Sequence, residues 1–212
     1  TLRGPSWSPS CATSSAPTPR RRPCPTTCCD RQPTGLRCTC PTRLAPSCLA
    51  CSWGTGAPIE EFGRRLTADT QGQIKAVLVT HNETATAVKS DVHGVRKVMN
   101  TANHESLLMV DAVSSLASME FRMDDWGVDI VITGAQKGFM LNTGLAIVGV
   151  SPKAMRATKT ATLPRCFFDF NDMANANAIG SYPYTPPVQL FNGLRASVSL
   201  LLNEGMDNVY AR

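Results

Sequence analysis

Residues 128–144 read VDIVITGAQKGFMLNTG. The first six, Val128 to Thr133, are mostly β-branched and suit a buried, pleated strand. The next stretch, 134–144, is rich in small and turn-forming residues, and it carries one lysine, Lys137. A lysine in such a loop is ordinarily a solvated surface group. An amine that holds a carbonyl compound covalently would occupy the same place. Only the surrounding chain can separate the two readings.

Three more runs share the texture of 128–133. They are 74–80 (IKAVLVT), 106–110 (SLLMV, ending at Asp111) and 145–150 (LAIVGV). All are continuously apolar rather than alternating, which suits a mainly parallel sheet covered on both faces. Helical signals stand between them. Residues 58–66 open a helix after Pro58. Asp91 is a good N-cap for a helix whose inner face is Val92, Val95, Val98 or Met99, and Ala102. A further helix begins near Pro152. Val188, Phe191, Leu194, Val198, Leu201 and Leu202 fall at helical spacing, so a long helix runs from about 187 to 204 and stops at Gly205. The fold class is therefore α/β, with helices against a mainly parallel sheet.

The first 51 of the 212 residues differ from the rest. They hold seven of the 21 Lys plus Arg residues, all arginine, against one acid, Asp30. That leaves 14 basic and 15 acidic residues in the remainder, so the net charge of +5 is an N-terminal property. The near-neutral part carries no nucleic-acid footprint. No stretch approaches 18 apolar residues in a row, so no membrane span is expected. Eight of nine cysteines also lie in the first 51 residues, with only Cys166 beyond. A disulfide framework, a zinc site on Cys38, Cys40, Cys48 and Cys51, and an Arg-rich transit peptide all fit part of that pattern. Nine prolines oppose the amphipathic helix of a transit peptide. The segment has no Ile, Val or Phe and cannot offset its ordering entropy, so residues 1–52 are read as disordered. Its bias is also what a GC-rich gene yields when read out of frame. The domain division is therefore 1–52, a disordered and out-of-frame segment, and 53–212, the ordered part.

In open parallel sheets, ligands bind beyond the carboxyl ends of the strands. After the strand at 74–80 comes THNETATAV, after 106–110 comes DAVSSLAS, and after 128–133 comes GAQKG. A hydroxyl cluster, a carboxylate and an amine thus stand at three strand exits. Pyridoxal phosphate needs such a set: an amine for its aldehyde, a carboxylate for its ring nitrogen, and donors for its oxygens. An aspartate after a strand is more often a cap or turn residue. The three histidines show no metal-ligand spacing, and His93 and His104 read as surface groups. No metal is expected. Ser114 and Ser115 lack the G-x-S-x-G frame of a serine nucleophile.

VTHNETATAV (79–88), the stretch from LLMVDAVSSLAS to GLAIVGVS (107–151) and GSYPYTPPVQLFNGLRASVSLLLNEGMDNVYAR (180–212) resemble the class V pyridoxal-phosphate aminotransferases. Within that family they are most similar to the serine–glyoxylate type, with the alanine–glyoxylate type as relatives. The resemblance covers about 53–212. It implies the large domain of fold type I, incomplete here, working as a homodimer with shared active sites. It implies that Lys137 is the Schiff-base lysine and Asp111 the acid paired with the pyridinium nitrogen. Val113 would stack on the ring, Gln136 would contact the phosphate, and Thr84 would lie near the phenolate oxygen. Tyr182 and Thr185 would reach the phosphate bound by the partner subunit. The family's glycine-rich phosphate loop should stand upstream of Trp53, and its small C-terminal domain should follow Arg212. The function implied is transfer of an amino group from serine, or alanine, to glyoxylate to give glycine, in the cytoplasm. Its substrates are small amino acids and 2-oxo acids, with no nucleic-acid or membrane partner. The alternative is an inactive truncated or frameshifted fragment of such an enzyme.

Overall fold

The computed structural model describes residues 54–212, together with Leu49 and an antiparallel pair of two-residue strands, Cys29–Asp30 and Arg37–Cys38. The other expectations for residues 1–53 lie outside the described residues: their disorder, the boundary near 52, the cysteine pairings and the reading frame.

Four strands form the central sheet: β1 (Ala76–Thr80), β2 (Leu107–Asp111), β3 (Ile130–Gly134) and β4 (Ala146–Val150), in that spatial order. β1, β2 and β3 are mutually parallel, and β4 runs antiparallel to β3. The reversal follows from chain length. A parallel return needs a crossover of a dozen or more residues, usually carrying a helix. The connection from Gly134 to Ala146 is instead a tight loop, closed by Ala135 N–H donating to the Leu145 carbonyl at 3.0 Å.

Helices α1 (Ile59–Ala68) and α2 (Val92–Thr101) cover one face of the sheet. Asp91 caps α2 as expected, its Oδ1 accepting from Gly94 N–H at 2.8 Å. Between the two candidates for its inner face, Met99 is fully buried, while Val98 turns toward α1, opposite Gly63. Val77, Val79, Leu108, Val110 and Val131 meet Val92, Val95, Met99 and Leu66 in one core. The opposite face is open in part among the described residues. Leu78 is 70% exposed, Ile132 42% and Val148 41%. Continuous apolar runs reveal that both sides of a strand are apolar, but not which neighbours this chain supplies to cover them.

A buried polar network ties the edge of the sheet remote from the strand exits. Asp129 accepts from Leu108 N–H (2.9 Å), Ser151 Oγ (3.0 Å) and Arg96 Nη2 (2.8 Å). His104 corrects the surface reading. Its side chain is only 6% exposed and sits between Asp69 Oδ2 (3.2 Å) and Ser106 Oγ (3.0 Å). Nothing in the local spacing announces this, because Asp69 lies 35 residues away.

Beyond β4 come α3 (Pro152–Ala157), α4 (Phe170–Ala178), α5 (Val188–Glu204) and α6 (Met206–Tyr210). Ser151 caps α3 through Ala154 N–H. α5 ends where glycine is required: Gly205 has φ 86° and donates its N–H to the Leu201 and Leu202 carbonyls. α4 buries no residue, so it has no apolar stripe by which to be read from sequence. Among the described residues no helix is long and apolar enough to cross a membrane.

Candidate active site

The parallel register brings the exits of β1, β2 and β3 to one edge. Thr80 pairs with Asp111, and Asp111 pairs with Ile132. Asp111 therefore ends the middle strand, one strand spacing of about 4.8 Å from each neighbour. Lys137 follows three residues after β3.

Asp111 is exposed, and its Oδ1 accepts from Val113 N–H at 2.9 Å. That bond fixes the carboxylate rotamer, with Val113 half-buried beside it. Oδ2 has no hydrogen-bond partner among the described residues. Lys137 is also exposed, and its Nζ makes no hydrogen bond or ion pair among them. Gln136 is exposed, with Oε1 lying back over Gly134. Thr84 lies exposed in the turn of a small hairpin, Asn82–Glu83 with Val88–Lys89, directly after β1. A carboxylate with one oxygen, Oδ2, left uncommitted and an uncommitted amine thus stand at neighbouring exits, flanked by a hydroxyl, an amide and an apolar side chain.

Two of the expected site residues stand elsewhere. Tyr182 packs its ring edge-on to Phe191 of α5, centroids 5.8 Å apart, and Thr185 is exposed on the α4–α5 connection. No hydrogen bond among the described residues joins either side chain to the strand exits.

The loop holding Lys137 is fixed by its neighbours. A Cβ on Gly138 would lie 2.3 Å from the Leu116 carbonyl oxygen, 2.7 Å from Ser118 Oγ and 2.8 Å from the Ala117 carbonyl carbon. Only glycine allows the 134–140 loop to rest on the turn after Asp111 this closely. Ala117 itself takes φ 64°, an uncommon conformation for a residue with a side chain. From the other side Ser197 Oγ of α5 donates to the Phe139 carbonyl at 2.5 Å.

Sequence reasoning missed the residue that joins β1 to this turn. His81 is fully buried, with Nδ1 2.9 Å from Ser115 Oγ. Beside it Asn82 Nδ2 donates to Ser114 Oγ, and Ser114 Oγ donates to the Asn82 carbonyl, each at 2.9 Å. Burial, with a smaller contribution from the Lys89 charge, pushes the His81 pKa down to about 4, so the ring is neutral at pH 7. The partners are 32 to 34 residues apart, a separation without any local sequence signal.

Comparison with known proteins places the chain among these chemistries. The family model described as Aminotransferase class-V matches residues 59–212. The L-aspartate–glyoxylate aminotransferase of Paracoccus denitrificans is 61% identical over 160 residues, and the serine–glyoxylate aminotransferase of Hyphomicrobium methylovorum is 55% identical over 162. Each alignment covers 76% of this chain and 40% of the relative, so the chain spans about two-fifths of the length of the curated relatives it matches. Among solved structures, pyridoxamine–pyruvate aminotransferase from Mesorhizobium loti superposes with TM-score 0.70 at 29% identity, covering 77% of this chain and 41% of that one.

Proposed function

The chain belongs to the class V aminotransferase family, and on that premise we propose that it is the cofactor-binding core of an enzyme that moves an amino group from serine to glyoxylate, giving glycine. The family depends on pyridoxal 5′-phosphate. One observation carries the reading: Asp111 Oδ2 and Lys137 Nζ are both uncommitted at adjacent strand exits, where sheets of this kind bind ligands. That pair fits the ring of the cofactor, which needs a carboxylate at its protonated nitrogen and an amine at its aldehyde.

When bound, pyridoxal phosphate supplies the electron sink for the donor's α-carbon. Asp111, held by Val113 N–H, would keep the ring nitrogen protonated. Val113 would offer an apolar contact to the ring, and Thr84 and Gln136 would serve the phenolate oxygen and the phosphate. Lys137 Nζ would hold the aldehyde carbon and, once displaced by the donor amine, move the proton off the donor's α-carbon. Tyr182 and Thr185, which make no hydrogen bond to the strand exits among the described residues, would reach the phosphate of a second subunit in a homodimer.

Three of the relatives' names share glyoxylate and differ in the amino acid, which is L-aspartate, serine or alanine. Serine is the donor we assign. Small, freely diffusing substrates of this kind fit a cytoplasmic enzyme. Adding pyridoxal phosphate to purified chain should produce the absorbance of a lysine-linked cofactor, absent in Lys137→Ala. L-serine should then discharge that absorbance faster than L-aspartate or L-alanine. No lysine-linked absorbance at saturating cofactor overturns the reading in favour of an inactive fragment. Faster discharge by another donor overturns the serine assignment alone.

A further inference from the structure

The turn that carries Asp111 and Val113 is gripped at both ends by a single residue directly after the neighbouring strand β1. At one end, His81 backbone N–H donates to the Asp111 carbonyl at 2.9 Å. At the other, the His81 ring meets Ser115 Oγ at 2.9 Å. The His81 and Ser115 side chains are both fully buried.

The ring has one polar partner and two aromatic neighbours. Nε2 has no nitrogen or oxygen partner among the described residues. The ring lies between Phe121 and Trp126, with centroids 5.4 and 5.7 Å away. Nδ1 is thus the one ring atom with a hydrogen-bond partner among the described residues, and that partner is Ser115 Oγ.

We propose that His81 and Ser115 are a positioning pair that clamps the 111–115 turn, so that the Asp111 carboxylate and the Val113 side chain are set for the cofactor ring before it binds. The clamp's purpose rests on Asp111 and Val113 being the residues that meet that ring. The grip reaches Asp111 through Val113, whose N–H holds Oδ1. It reaches Lys137 through Leu116 and Ala117, the next two residues, against which Gly138 is packed. Asn82 and Ser114 lace the same two segments in parallel. One strand exit thereby sets the geometry of the other two. Preorganisation of this kind turns a flexible carboxylate into one already aimed, which is where positioning residues act on rate and affinity.

Two variants separate this role from general support of the fold. Ser115→Ala removes the hydroxyl, and His81→Phe removes Nδ1 while keeping a ring between Phe121 and Trp126. Amide hydrogen exchange then reads the clamp without cofactor. In either variant the Val113 amide should exchange about tenfold faster, the loss expected from one buried hydrogen bond. The double variant should show no further increase, because both changes delete the same bond. The α2 amides of Val95 and Met99 should keep their rates. With pyridoxal phosphate added, the lysine-linked absorbance should titrate at a shifted pH in both variants. An unchanged Val113 amide overturns the clamp, and so does acceleration of Val113, Val95 and Met99 together. Absence of cofactor absorbance in the unmodified chain overturns the cofactor reading instead, and the amide rates alone then decide the clamp.

Discussion

Replacing Gly138 by alanine sets a methyl group against the backbone of the neighbouring turn. The new Cβ would stand 2.3 Å from the Leu116 carbonyl oxygen, and real Cβ contacts are essentially never closer than 3.0 Å. The two loops must therefore part by at least 0.7 Å at that point, the difference between these distances. Leu116 and Ala117 meet the methyl with backbone atoms, so no side-chain rotation relieves them. Overpacking of this kind costs about 1–3 kcal/mol, and a rigid backbone clash belongs at the upper end. The lost flexibility of glycine in the unfolded chain returns about 0.4–1 kcal/mol. The net expectation is destabilisation by about 2 kcal/mol. Lys137 is the adjoining residue, and a displacement near 1 Å in a reacting group costs on the order of a hundredfold in rate. Urea unfolding followed by far-UV circular dichroism measures the first effect. The rate at which lysine-linked cofactor absorbance develops measures the second. A variant as stable as the parent, or more stable, would refute the close packing of the two loops. A destabilised variant that links cofactor at the parental rate would show that this contact does not place Lys137.

Gly63→Ala on α1 is the complementary case: its Cβ would stand 3.4 Å from Val98 Cβ, so the helix-propensity gain of about 0.5–1 kcal/mol should survive as a raised urea midpoint. Asp129→Ala leaves Arg96 buried without its carboxylate and should cost about 3–5 kcal/mol, read as loss of cooperative unfolding or a large fall in midpoint. Asp91→Ala removes the α2 cap and should cost about 1 kcal/mol in the same assay. Acid should weaken the fold through His81. The folded ring stays neutral to about pH 4, while the unfolded chain takes up that proton near the ordinary histidine value of 6.5. The unfolded state thus binds more protons between these values, so stability is complete above about pH 6.5 and falls by up to about 3 kcal/mol as pH drops to 4. Urea midpoints measured across that range should fall less steeply in His81→Phe, and an identical slope would remove His81 from the account.

Much of the fold was legible because it is written in short windows. The run at 128–133, the cap at Asp91, the start at Pro152 and the stop at Gly205 each rest on residues within one turn or strand of one another. Parallel pairing could be anticipated from apolar runs, and with it the edge at which Asp111 and Lys137 appear. The antiparallel turn of β4, the exposed face bearing Leu78 and Ile132, and α4 were less legible. They depend on a loop too short for a crossover, on neighbours that do not stand among the described residues, and on a helix with nothing to bury.

For the site the division falls in the same place. Sequence alone determined which chemical groups stand at the strand exits: a threonine cluster, Asp111 and Lys137, each following an apolar run. Tertiary structure alone decided what holds them. His81 reaches Ser115 across 34 residues, Gly138 rests on Leu116, and Ser197 grips Phe139 across 58. Such contacts obey distance and hydrogen-bond geometry in space, and residues far apart in the chain leave no periodicity by which they could be read.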